Sequence, residues 1–172
     1  MAHLGQSIID TIGNGQSFGL DIFYSFEHEG ALETLGGIRH ALNNIQSEHF
    51  LLVNADIWCD FDFRSLLEYQ PDIAHLLMTK NPSHHPHGDF ILEASGKLSL
   101  GKPGDGQVRR TYTGIGLYNK SFIASLNEGY SRLGPLLREE ISKDRLWGSL
   151  HEGQWFDIGT PERLKRVNQL LP

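Results

Sequence analysis

Leu4, Ile8, Ile9 and Ile12 recur at intervals of three and four, the spacing that lines one face of a helix. Gly13-Asn14-Gly15 follows as a stop signal in which glycine or asparagine takes positive φ. Asp21 to Ser25 reads as a strand, and Glu33 to Gly37 leads into a second helical pattern carrying Ile38, Ala41, Leu42 and Ile45. Phe50 to Val53 is a short continuous apolar run, the mark of a strand covered on both faces, and it ends at Asn54-Ala55-Asp56. Asp62 is placed to cap a short helix through Tyr69, after which Ile73 to Met78 forms another apolar strand. This alternation of helix and strand predicts a parallel or mostly parallel sheet with helices on its faces.

The second half reads differently. Phe90 to Glu93 and Lys97 to Leu100 flank Ala94-Ser95-Gly96 as a hairpin would, and Tyr112 to Tyr118 alternates like a strand. Gly134-Pro135 opens a helix with Leu136, Leu137 and Ile141 on one face. Two strands, Leu146 to Leu150 and Trp155 to Ile158, precede Thr160-Pro161-Glu162. There Thr160 is the expected N-cap, Pro161 the first residue and Glu162 a first-turn charge of a closing helix through Leu171. No repeat or linker interrupts the 172 residues, so a single domain spanning 1–172 is expected.

Composition narrows the class. With 39% hydrophobic and 21% charged residues the chain has the makings of one packed core, which excludes disordered, collagen-like and coiled-coil readings. A formal charge of −6 disfavours nucleic acid or an anionic membrane as partner, so a phosphate ligand requires a local site. The one cysteine, Cys59, cannot close an internal disulfide. No Cys/His spacing matches a zinc finger, and no apolar run is long enough to span a bilayer. A reducing, cytoplasmic home is expected.

Ligands of open α/β sheets bind outside the carboxyl ends of strands, which puts Asp56, directly after an apolar strand, at the expected site. A turn or N-cap aspartate is the competing explanation. Asp157, set among Trp155, Phe156 and Ile158 near a strand end, is open to the same two readings. His84, His85 and His87 fall among prolines in a polar loop and read as a solvated segment, with no zinc expected. Arg109 and Arg110 read as a solvated pair, and Trp147 and Trp155 as packing residues, with Trp155 buttressing Asp157.

Five segments in order, Leu32 to Ile38, Leu51 to Asp56, Gly88 to Phe90, Tyr112 to Tyr118 and Trp155 to Thr160, resemble the sugar-1-phosphate nucleotidyltransferase family over essentially the whole chain. Leu32-Glu-Thr-Leu-Gly-Gly-Ile38 together with His85-Pro-His-Gly-Asp-Phe90 is most similar to the branch that uridylylates N-acetylmuramate 1-phosphate in peptidoglycan recycling. The resemblance implies an α/β, Rossmann-like, three-layer (GT-A-like) fold with a mixed, mostly parallel sheet. It implies attack by the phosphate of a sugar 1-phosphate on the α-phosphorus of UTP, giving a UDP-sugar and pyrophosphate.

By the same resemblance, Asp56 and Asp157 are the catalytic carboxylates and hold Mg²⁺, an ion that favours one or two carboxylates together with phosphates and water. Thr34, Gly36 and Gly37 correspond to the nucleobase loop, with Asn54 also on the nucleotide, and Gly88, Asp89, Thr113 and Gly114 bound the sugar pocket. Lys102-Pro103 resembles the sugar-phosphate lysine segment of some relatives but lacks the preceding glutamate. Guanylyl or thymidylyl transfer, and an inactive sugar-nucleotide-binding remnant, are the alternatives. The family's opening Gly-x-Gly-x-Arg loop and Pro-Lys segment have no counterpart here. On this reading the domain is N-terminally truncated, impaired in activity, and open to self-association through an exposed sheet edge.

Overall fold

The computed structural model describes residues 3–27, 32–101, 106–126 and 132–170. The chain divides into two compact units, Met1–Glu48 with Lys120–Leu136, and His49–Asn119 with Leu137–Pro172.

The first unit is helical. α1 (Gly5–Ile12) stops where Gly13, at φ 66°, donates its N–H to the Ile9 carbonyl. Glycine takes this positive φ at no steric cost. α2 (Glu33–Ala41) buries Leu35 and Ile38 and tightens into a 3-10 turn, Leu42–Asn44, with Leu42 also buried. α3 (Lys120–Ser125) follows much later in the chain. The strand expected over Asp21 to Ser25 is absent. Leu20 and Ile22 instead turn their amides back onto the carbonyls of Gly15 and Asn14, which leaves no ladder to extend.

The second unit holds the strands: β1 (His49–Val53), β2 (Ile57–Cys59), β3 (Ala74–Thr79), β4 (Phe90–Leu92), β5 (Leu98–Ser99), β6 (Arg109–Asn119), β7 (Trp147–His151) and β8 (Trp155–Asp157). α4 (Leu133–Ser142) runs from the first unit's sequence into the second, and α5 (Pro161–Leu170) closes the described chain. The main sheet has the order β5-β4-β6-β3-β7, with β1 also on β6. The 11-residue β6 organises it. Its second half pairs with β1 and its first residues with β4 along one edge, while β3 occupies the other.

The sheet is mixed, as expected, but not mostly parallel. Among the described pairings in it only β3–β7 is parallel. β1 and β3 do point the same way, since both run antiparallel to β6, yet β6 lies between them. Helix–strand alternation suggested that successive strands would be neighbours; a long strand from later in the chain separates them instead.

Every residue of β3 is buried, consistent with its position between two neighbours. Leu66, Leu77 and Ile115 form a core cluster on which Leu51, Ile57, Phe61 and Phe63 pack. Full burial of each such side chain contributes roughly 1.5–3 kcal/mol. β1 is less covered than its apolar run implied: Phe50 is buried but Val53 is 43% exposed. Asp62 does cap the next turn through the Arg64 amide, although that turn, Phe63–Glu68, is 3-10 rather than α. Among the described residues no helix is long and apolar enough to cross a membrane.

Candidate active site

A second, two-stranded sheet builds the site. β2 and β8 pair antiparallel with Ile57 opposite Asp157, and the Ile158 amide donates to the Asp56 carbonyl at 2.8 Å. The two aspartates, far apart in sequence, thereby meet at Gly159. A methyl group built on Gly159 would lie 2.8 Å from Asp56 Oδ2 and 3.2 Å from Asp157 Oδ1. β2 was not evident from sequence: a strand of three residues is legible only once its partner strand is known.

The two carboxylates have different surroundings. Asp157 Oδ1 accepts the Gly159 amide at 3.0 Å, and Oδ2 accepts Arg163 Nη1 at 2.5 Å. Arg163 Nη1 also lies 3.2 Å from His84 Nε2, which is itself 3.4 Å from Asp157 Oδ2. A guanidinium carries no acceptor, so in the contact between the two Arg163 is the donor and His84 Nε2 the acceptor. Arg163 is held in turn by Thr160, whose hydroxyl caps α5 by accepting the Arg163 amide at 3.3 Å. Asp56 is exposed, and no side-chain partner reaches its carboxylate among the described residues.

Beside the pair opens a cleft of about 330 Å³, lined by Asn54, Asp56, His85, Asp89, Tyr112 and Trp155 among others. One wall is a bulge in β6, where the register with β3 shifts between Leu76 and Met78. Gly114 sits in it at φ 79°, and Asn54 packs so closely that a methyl on Gly114 would lie 2.6 Å from Asn54 Nδ2. Asn54 also donates its backbone amide to the Gly114 carbonyl at 3.0 Å. The bulge is re-satisfied by Thr113, whose hydroxyl donates to the Leu77 carbonyl at 2.8 Å and accepts the Ile115 amide. Trp155 Nε1 donates to the Thr113 carbonyl at 3.1 Å and fixes the indole at the cleft. Thr113 and Gly114 thus shape the wall, while the Thr113 hydroxyl is already engaged.

Farther along β6 the lining is held by Asp89. Its Oδ2 accepts the Tyr112 amide at 2.9 Å and its Oδ1 lies 3.2 Å from His85 Nε2. Gly88, at φ 60°, passes so near Asn81 and the Arg110 backbone that a Cβ would clash. Tyr112 and Tyr118 share a 3.0 Å hydrogen bond between their hydroxyls, and burial pushes both phenols well above their ordinary range.

Several expected placements need correction. Thr34, Gly36 and Gly37 lie not in a loop but in the opening turns of α2, in the first unit. There a methyl on Gly36 would meet Leu32 and one on Gly37 would approach Glu27. The Leu32 amide holds the Glu27 carboxyl below its usual range. The loop carrying His84, His85 and His87 is solvated as expected, with His84 and His87 exposed, but His84 and His85 also line the cleft. Arg109 is not a solvated cation, because it donates to the carbonyls of Asp89 and Leu100. Trp147 is 46% exposed on β7 rather than packed. Lys102-Pro103 lies outside the described residues.

The donor set fits a hard divalent cation. Two carboxylates meet over a residue without a side chain, one of them free of protein partners, and both border an open cleft in which phosphate and water oxygens would complete a shell. No group of three or more His, Cys, Asp or Glu among the described residues forms a self-contained metal cage, so such an ion would be shared with a ligand.

A profile of the family described as Nucleotidyl transferase matches residues 2–172. The chain is 37% identical to N-acetylmuramate alpha-1-phosphate uridylyltransferase of Neisseria meningitidis serogroup B, over 98% of this chain and 75% of that protein. It is 24% identical to D-glycero-alpha-D-manno-heptose 1-phosphate guanylyltransferase of Aneurinibacillus thermoaerophilus, over 95% and 73%. Among solved structures it resembles HddC from Yersinia pseudotuberculosis complexed with GMP-PN, with a TM-score of 0.79 and 17% identity over 99% of this chain and 76% of that one.

Proposed function

The chain belongs to the nucleotidyl transferase family, and on that premise we propose that it transfers a uridylyl group from UTP to N-acetylmuramate 1-phosphate, forming UDP-N-acetylmuramate and pyrophosphate. What carries this reading is the meeting of Asp56 and Asp157 over Gly159 beside the cleft. The choice of base and sugar is supported by the 37% identity to the Neisseria uridylyltransferase, against 24% to the guanylyltransferase.

The reaction brings a phosphate monoester dianion against a triphosphate, so their repulsion must be neutralised and the attacking and leaving oxygens aligned. A bound Mg²⁺ supplies that neutralisation and a template for alignment. Asp56 and Asp157 would hold it, Asp56 with an uncommitted carboxylate and Asp157 with one oriented by Arg163 and the Gly159 amide. Asn54 and the Gly114 bulge offer a wall on which the backbone comes close to a ligand. Trp155 and Tyr112 line the cleft with aromatic surface. Asp89 and Gly88 are proposed to border the sugar, and Thr34, Gly36 and Gly37, in the opening turns of α2, to border the base.

Pyrophosphate release with UTP, GTP or dTTP and N-acetylmuramate 1-phosphate, alongside binding of UDP-N-acetylmuramate, GDP-mannose and dTDP-glucose, tests base choice. Preference for the uridine compounds in both assays is expected. Preference for guanosine or thymidine compounds would overturn the assignment, and tight UDP-sugar binding with no release would favour a binding remnant.

A further inference from the structure

Beyond the main cleft, a second one of about 230 Å³ opens between α5 and the loop after β3, lined by Pro82, His84, Trp155, Phe156, Arg163 and Arg166, with Asp157 on the shared ridge. The volume is below the ~300–1,000 Å³ of pockets that take a drug-sized ligand whole, so its occupant is a group rather than a nucleotide. Its charge is unbalanced. Arg163 is paired with Asp157, but Arg166, three residues on and therefore on the same face of α5, is exposed and has no ion-pair or hydrogen-bond partner among the described residues. The apolar floor of Trp155, Phe156 and buried Val167 lowers the local dielectric, which strengthens any ion pair formed above it.

We propose that this second cleft is a phosphate-binding subsite in which Arg166 and Arg163 receive a phosphomonoester or diphosphate group. Arginine forks match phosphate oxygens two at a time, and the first cleft shares the ridge formed by Pro82, His84, Trp155 and Asp157. A ligand with its reacting end at Asp56 and Asp157 therefore has a cationic seat next door. Two sources share that chemistry, the phosphate of the sugar substrate and the released pyrophosphate. Only the identity of the source rests on the transferase reading; phosphate binding itself does not.

Titration calorimetry on the whole chain in EDTA, with inorganic pyrophosphate, inorganic phosphate and glucose 1-phosphate as probes, tests the subsite. Wild type should bind, Arg166→Met should weaken binding at least about tenfold, and Arg166→Lys should lose less, because it keeps the charge but not the fork. Melting curves matching wild type are expected, since Arg166 is exposed. A loss confined to pyrophosphate assigns the cleft to the leaving group, and one confined to glucose 1-phosphate assigns it to the substrate. Absent binding by wild type, or equal binding by wild type and Arg166→Met, overturns the subsite. Uridylyl transfer with unchanged phosphate binding in Arg166→Met sinks this inference alone, whereas a phosphate site dependent on Arg166 stands even if UTP turnover fails.

Discussion

The Ile158 amide donates to the Asp56 carbonyl at 2.8 Å, tying the residue after β8 to the residue before β2. Through that bond, and the pairing of Ile57 with Asp157, two aspartates from distant stretches of chain are brought together by backbone pairing. The Asp56 carboxylate is left available and that of Asp157 is oriented by Arg163 and the Gly159 amide, with Gly159 providing the space between them.

Gly159→Ala should therefore disturb ligand binding far more than folding. The new methyl would meet the ends of two flexible side chains, Asp56 at 2.8 Å and Asp157 at 3.2 Å, and these can swing aside. Mn²⁺ affinity measured by electron paramagnetic resonance is expected to fall about 10-fold or more, in the range seen when support for metal ligands is lost. The urea midpoint should hardly change. Unaltered Mn²⁺ affinity would show that the carboxylates do not act together at this position.

Gly114→Ala should act in the opposite sense, on stability first. At φ 79° an alanine is strained, and its Cβ would lie 2.6 Å from Asn54 Nδ2. A loss of roughly 1–3 kcal/mol is expected for such a backbone position, read as a lower urea midpoint. A midpoint equal to wild type would mean that the β6 bulge relaxes at no cost.

His75 predicts a pH dependence. It is buried on β3, stacked on Tyr69 at 3.7 Å between ring centroids, with Nε2 3.2 Å from Ser149 Oγ. Burial lowers its pKa from 6.5 to about 4. The unfolded chain thus takes up a proton first as pH falls, so the stability contributed by neutral His75 is complete above pH 6.5 and declines toward pH 4. Between pH 7.5 and 5 the loss from this one group should be at most about 2 kcal/mol. In His75→Phe that component should disappear from the pH profile of urea unfolding; a profile unchanged in slope would remove His75 as its source.

Local chemistry was legible in the sequence wherever a residue type dictates a backbone state. Gly13 ends α1, Asp62 caps its turn, Thr160-Pro161 opens α5, and the Ala94-Ser95-Gly96 turn closes a hairpin between β4 and β5. Asp56 stands out by its position after an apolar strand, Asp157 by its position near a strand end, and both by family resemblance, but their meeting does not, because β2 is too short to signal its partner. Long-range pairing also decided the sheet: nothing local to β6 says that it separates β1 from β3. His84, His85 and Arg109 look solvated in sequence because polar residues near proline or glycine usually are. They acquire partners only when β6, α5 and the loop after β3 come together.

Mn²⁺ titration of wild type, Asp56→Asn and Asp157→Asn without nucleotide probes the two-aspartate site most directly. A single weak site is expected in wild type, with each substitution reducing its affinity at least about 10-fold while circular dichroism and melting stay unchanged. Wild-type Mn²⁺ affinity in both folded variants would contradict it.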